Sequence, residues 1–132
     1  MSKILERPKS KTVAAGLRAF FKICAEWDLS VEQQIRLLGI PDTTFYNLKK
    51  KAIENSELTV NKDTLERISY ILGIYKNLHI LLADDDSANS WVHKSNTAEL
   101  FKGSSAIEKM TGGNVSDLYI VRRYLDEQVK GW

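Results

Sequence analysis

SVEQQIRLLGIPDTTFYNLKKK, residues 30–51, reads as two short helices around a tight turn, the second ending in three lysines. Ser30 can cap the first helix and Gln33, three residues on, completes a capping box; Val31, Ile35 and Leu38 then fall on one apolar face. Gly39 supplies a turn residue that takes positive φ without steric cost, and Pro41 with Asp42 restarts the chain as a new helix. In that helix Phe45 and Leu48 point into a core. Thr43, Thr44, Tyr46, Asn47 and Lys50 are left facing outward, with Lys49 and Lys51 beside them. Such side chains read base edges or hold phosphates from a helix lying in the major groove: Thr43, Thr44, Tyr46 and Asn47 as readers, the lysines on the backbone. Two amphipathic helices around a glycine also occur as plain pieces of a bundle, so the pattern alone leaves a structural reading open.

Charge favours the nucleic-acid reading. Residues 1–51 hold ten Lys and Arg against five Asp and Glu, a net of +5, whereas the remaining residues hold nine against twelve, a net of −3. The overall +2 therefore hides a basic amino-terminal half, the electrostatic footprint of a site where a polyanion docks. A chain of 132 residues with 43% hydrophobic content can bury a full core as one domain or as two small ones sharing it. No run approaches the roughly 18 to 20 apolar residues of a membrane span, and the amino terminus lacks the apolar stretch of a signal peptide, so a soluble, cytoplasmic protein is expected. The single cysteine, Cys24, excludes an intrachain disulfide and falls beside Phe20, Phe21 and Trp27, as a buried structural thiol would.

Helical periods run along nearly the whole chain, and no stretch alternates with period two, so an all-α fold is expected. Residues 1–10 read as a flexible basic arm, 11–83 as the helix-turn-helix domain and 84–132 as a small helical module. Val13, Leu17, Phe20, Phe21 and Cys24 mark a first helix over 11–27. A further helix, capped near Asn61 or Asp63, is expected to stop at Gly73, with a second apolar helix from Ile74 to Leu82. Asp84, Asp85 and Asp86 read as a solvated loop rather than a metal site, because consecutive carboxylates diverge and no calcium-loop ligands follow; Asp86 or Ser87 would cap the next helix. Downstream, Ser104 can cap a short helix carrying Ile107 and Met110. After Gly112-Gly113, Asn114 with Asp117 opens a last helix whose buried stripe is Leu118, Val121, Leu125 and Val129. Gly131 stops it and leaves Trp132 at the end.

The helix-turn-helix resembles that of the phage-repressor-like, Xre-type DNA-binding proteins, departing from it at Ile35, where a small residue is usual. The rest of the chain is similar to the antitoxins of the Xre/MbcA/ParS family, whose partner is a RES-domain toxin. The features that carry this are Trp91, Leu100-Phe101-x-Gly103, the Met110-Thr-Gly-Gly-Asn114 turn and Val121-Arg-Arg-Tyr-Leu125; the family commonly has proline where this chain has Ser105. The resemblance implies an Xre-type helix-turn-helix domain followed by a toxin-binding module. The first would bind the operator of its own operon. The second would cover the active site of a toxin that degrades NAD or transfers ADP-ribose from it, with Arg122, Arg123, Gly131 and Trp132 at the contact and Trp91 and Phe101 supporting it from within. Helix-turn-helix proteins bind paired half-sites as dimers, so a homodimer is expected. A stand-alone repressor with a dimerisation tail is the alternative. An enzyme is not expected: His79 sits in an apolar helix, His93 in a polar loop, and neither lies near a nucleophile. With no Walker, Rossmann or zinc spacing, no cofactor or metal is implied.

Overall fold

The computed structural model describes residues 10–54 and 57–131. Most of the expected basic arm, and Trp132, lie outside them. Among the described residues the fold is all helical: α1 Ser10–Glu26, α2 Val31–Leu38, α3 Asp42–Ile53, α4 Lys62–Leu81, α5 Asp85–Ser90, α6 Ala106–Met110 and α7 Val115–Lys130, with one 3-10 turn at Trp91–His93. None of these helices is long and apolar enough to cross a membrane.

Apolar residues three and four apart give α1 one buried stripe, Val13, Leu17, Phe20 and Cys24, continued by Trp27. Asp28, at φ 54°, turns the chain in the left-handed region, and Ser30 opens α2 with the expected capping box: its side chain accepts from the Gln33 N–H while the Gln33 side chain accepts from the Ser30 N–H. Gly39 takes φ 66° and donates to the Ile35 carbonyl, closing α2. The buried face of α2 is not the expected Val31, Ile35, Leu38 but Gln34, Leu37 and Leu38, with Val31 exposed. Gln34 tolerates burial because its amide donates to the Leu29 carbonyl at 3.1 Å.

Three further expectations are corrected. α4 runs unbroken through Gly73 for 20 residues, since one glycine inside a long helix costs only about 1 kcal/mol and does not end it; the space of the missing side chain is taken by the Arg122 guanidinium, and a Cβ would lie 2.5 Å from Arg122 Cζ. Asp84, not Asp86 or Ser87, caps α5, its carboxylate accepting from the Ser87 N–H at 2.9 Å. Ser105, not Ser104, caps α6, through a second capping box with Glu108. Asn61 caps α4 as expected.

α4 is the hub. Its buried positions Thr64, Arg67, Ile68, Ile71, Ile74 and Leu78 let it pack on α1 and α2 and, most extensively, on α7. Leu118, Val121 and Leu125 of α7 join Phe20, Trp27 and Phe45 in a single hydrophobic cluster. Val129, expected in that stripe, is only half-buried.

Candidate nucleic-acid interface and carboxy-terminal groove

In α3, Phe45, Leu48 and Ala52 recur at three and four residues, so this helix shows one side to the core and the other to solvent. Phe45 is fully buried and meets Phe21 edge-on, with ring centroids 5.7 Å apart. At the far end the Arg18 guanidinium donates to the Ala52 carbonyl at 3.1 Å, tying the last turn of α3 to α1. The helix is thereby held by both ends. Thr43, Thr44, Tyr46, Asn47 and Lys50 are all exposed, Tyr46 most conspicuously, at 61%. The three lysines are not equivalent. Lys50 is exposed, Lys51 is half-buried, and Lys49 is half-buried with its ammonium 5.5 Å from the centroid of the Phe21 ring, a cation–π contact that draws it back onto α1.

The carboxy-terminal half presents a second surface, an open groove of about 510 Å³ along α4 and α7. Tyr70 and Tyr119, edge to face at 5.7 Å, line it, together with Asn77, Asp126 and Lys130. Arg122 and Arg123, adjacent in sequence, have different settings. Arg122 lies across Gly73, donates to the Ser69 carbonyl at 3.3 Å and has Nε 3.9 Å from the Asp126 carboxylate. Arg123 is exposed and donates to the Tyr119 hydroxyl at 3.0 Å, a bond that with the nearby Glu127 carboxylate holds its already high pKa higher still. Gly131 is exposed just beyond the last residue of α7.

Trp91, Phe101 and Tyr124 join the carboxy-terminal half to α7 in two edge-to-face steps, 5.8 Å and 5.6 Å, with Phe101 buried. His93 does not sit in a free polar loop. It closes the 3-10 turn, and its Nε2 bonds the Trp27 carbonyl at the end of α1. His79 stacks on Tyr75 and bonds that residue's carbonyl at 3.0 Å. Burial pushes the Cys24 thiol far above its ordinary value. Among the described residues no group of three His, Cys, Asp or Glu side chains is arranged to hold a metal.

Several partly buried polar joins were not read from the sequence: Arg67 with the Gly113 carbonyl, the Asn77–Asp126 bond at 2.7 Å, and the Glu26 carboxylate receiving both Tyr75 and Asn89. Each spans at least 46 residues of chain, so no local spacing announces it. The one local hint is Arg67 itself, a cation inside an otherwise apolar period of α4.

Residues 12–73 match the antitoxin Xre-like helix-turn-helix domain, and residues 77–128 match the antitoxin Xre/MbcA/ParS carboxy-terminal toxin-binding domain. The chain is also 43% identical over 123 residues to the uncharacterized protein y4oB of Sinorhizobium fredii, covering 92% of this chain and 90% of that protein. No solved structure matches the chain. The exposed face of α3 thus lies within the helix-turn-helix match, while the groove draws Tyr70 from that match and Asn77, Tyr119, Arg122, Arg123, Asp126 and Glu127 from the toxin-binding match, and the chain belongs to the Xre/MbcA/ParS family of toxin–antitoxin antitoxins, carrying both of its domains.

Proposed function

We propose that this antitoxin neutralises a RES-domain toxin, one that degrades NAD or transfers ADP-ribose from it, by covering the toxin's active site, and that as a homodimer it represses its own operon through the helix-turn-helix. The observation that carries the first part is the groove between α4 and α7, lined by the Tyr70–Tyr119 pair together with Arg122 and Arg123, all but Tyr70 within the toxin-binding match; aromatic residues and arginine are the side chains that dominate protein interfaces. Gly131 follows at the end of α7, and Trp132 completes the proposed contact from outside the described residues. The toxin-binding match favours this reading over a repressor whose tail serves dimerisation alone.

The second part rests on α3. Asn47 and its exposed neighbours Thr43, Thr44 and Tyr46 read bases, while Lys50 and, at closer quarters to the protein, Lys49 and Lys51 meet phosphates. Co-expression with a RES-domain toxin encoded beside this chain tests the first part: deleting residues 131 and 132 releases toxicity while DNA binding persists. Full protection by a chain ending near residue 113, before α7, would place neutralisation elsewhere. Mobility-shift titration on the upstream DNA tests the second. Asn47→Ala relaxes sequence preference at a cost of about 1 to 3 kcal/mol, and Lys50→Ala weakens all sequences and lowers the salt slope by about 1. Unchanged operator binding in the double variant would make the motif purely structural.

A further inference from the structure

Arg67 is 6% exposed, yet its guanidinium reaches three separate parts of the chain. Nε donates to Asp63 Oδ2 at 2.8 Å within α4, Nη1 to the Arg36 carbonyl at 3.2 Å, and Nη2 to the Gly113 carbonyl at 3.0 Å. The Arg36 carbonyl lies in the last turn of α2, where carbonyls have no partner within the helix. Its neighbours there are also accounted for: the Ile35 carbonyl by the Gly39 N–H, and the Leu38 carbonyl by the Thr64 hydroxyl at 3.0 Å. The guanidinium also lies against the Gly39 turn so closely that a Cβ at Gly39 would stand 2.6 Å from Arg67 Cζ. The planar fork of arginine presents its donors on three separate nitrogens, one to each of these acceptors, whereas the three donors of a lysine ammonium sit on a single nitrogen and do not span them.

The geometry points to Arg67 as the positioning residue of the DNA-reading pair of helices, with the Gly112-Gly113 turn of the toxin-binding half as its third anchor. It touches no base or phosphate. It fixes where α2 ends and therefore where α3 begins, and it does so by reference to a turn that precedes α7. A displacement of that turn reaches the helix-turn-helix through one rigid side chain, so the two halves are coupled at this point. The consequence for operator affinity rests on the DNA-binding reading above; the coupling itself does not.

Amide resonances of the full chain, without DNA, test the coupling. Gly113 stands at φ 100°, which a side chain rarely adopts, so Gly113→Ala displaces its turn while a Cβ there meets no neighbour. In the Arg67 chain this substitution shifts the resonances of residues 39–47. In Arg67→Met and Arg67→Lys the same substitution leaves them where each single variant put them. Motionless helix-turn-helix resonances on Gly113→Ala in the Arg67 chain overturn the proposal, and this comparison stands even where Arg67→Met does not fold. Coupling preserved in Arg67→Lys also overturns it, because charge and not the fork would then carry the effect. On a duplex of the chain's own upstream DNA, Gly113→Ala lowers specific affinity roughly tenfold with the salt slope unchanged, as expected for a coupling of ordinary size that removes no phosphate contact. A native chain that binds no DNA would refute the DNA-binding reading, and the resonance test would still decide the coupling.

Discussion

The hydroxyl of Ser105 holds the start of α6 in two directions, accepting from the Glu108 N–H at 3.2 Å and donating to Glu108 Oε1 at 3.1 Å, while the Ser105 N–H donates to the same carboxylate oxygen at 3.0 Å. A proline at this position would fix φ but could offer none of these bonds, so here the start of the helix is held by the capping box instead. Ser105→Ala should cost about 1 kcal/mol, read from urea unfolding at neutral pH. The pH dependence follows from Glu108, whose carboxyl is held below its ordinary value by the Ser105 N–H and then by the Ser105 hydroxyl. A depressed carboxylate contributes stability that is fully present above its unfolded pKa, about 4.3, and lost as pH falls through the lower folded value. The stability difference between the native chain and the Ser105→Ala variant should therefore shrink below about pH 4; a difference that stays constant under more acid conditions would show that the ion plays no part. Capping boxes are legible in sequence where one candidate exists, as at Ser30 and Gln33. At Ser104-Ser105 two hydroxyls compete for one role, and only the Glu three residues after the second decides between them.

α4 shows where an element outruns its local signals. Phe45 and Leu48 in α3 were readable because the packing that buries them follows from helical spacing alone. In α4, Gly73 reads as a helix stop, yet the helix runs on through it, and the side chain that occupies its empty Cβ position, Arg122, comes from far along the chain in α7. The same remoteness hides Arg67 and Asn77, whose burial is made tolerable by Asp63 within α4 together with partners that arrive from α2, the Gly113 turn and α7. Gly73→Ala tests the account. Its Cβ overlaps the flexible Arg122 side chain and no backbone, and the Arg122 side chain is 36% exposed, so the guanidinium can swing outward. The helix then gains about 0.5 to 1 kcal/mol from replacing glycine in its interior, and the midpoint of thermal unfolding rises. Toxin affinity falls in the same variant, because Arg122 no longer lies on Ser69. A lowered midpoint would show Arg122 to be pinned.

At the scale of the molecule, the two matched regions meet within one helix. The helix-turn-helix match ends at residue 73 and the toxin-binding match begins at 77, both inside α4, so the boundary between functions is not a boundary between cores. The charge asymmetry of the two halves was visible in the sequence and is consistent with a basic DNA face. A shared core was open in the sequence, but its contacts could not be placed there, because α7 brings Leu118, Val121 and Leu125 into it by packing on α4, with no linker composition to betray or deny it. A single hydrophobic cluster should melt as a single unit. Native-state hydrogen exchange should then give the slowest amides of α1, α4 and α7 one common opening free energy, equal to that of global unfolding from urea titration. The alternative is specific: were the halves independent, α7 would open first and leave α1 to α4 protected. A chain ending at residue 83 sharpens the test, since it keeps every residue of the DNA-reading helices but strips the apolar side of α7 from α4 and removes the Gly113 carbonyl from Arg67. It should lose cooperative unfolding and operator binding together. A fragment that retained both would make the carboxy-terminal half an appendage to a self-sufficient DNA-binding domain.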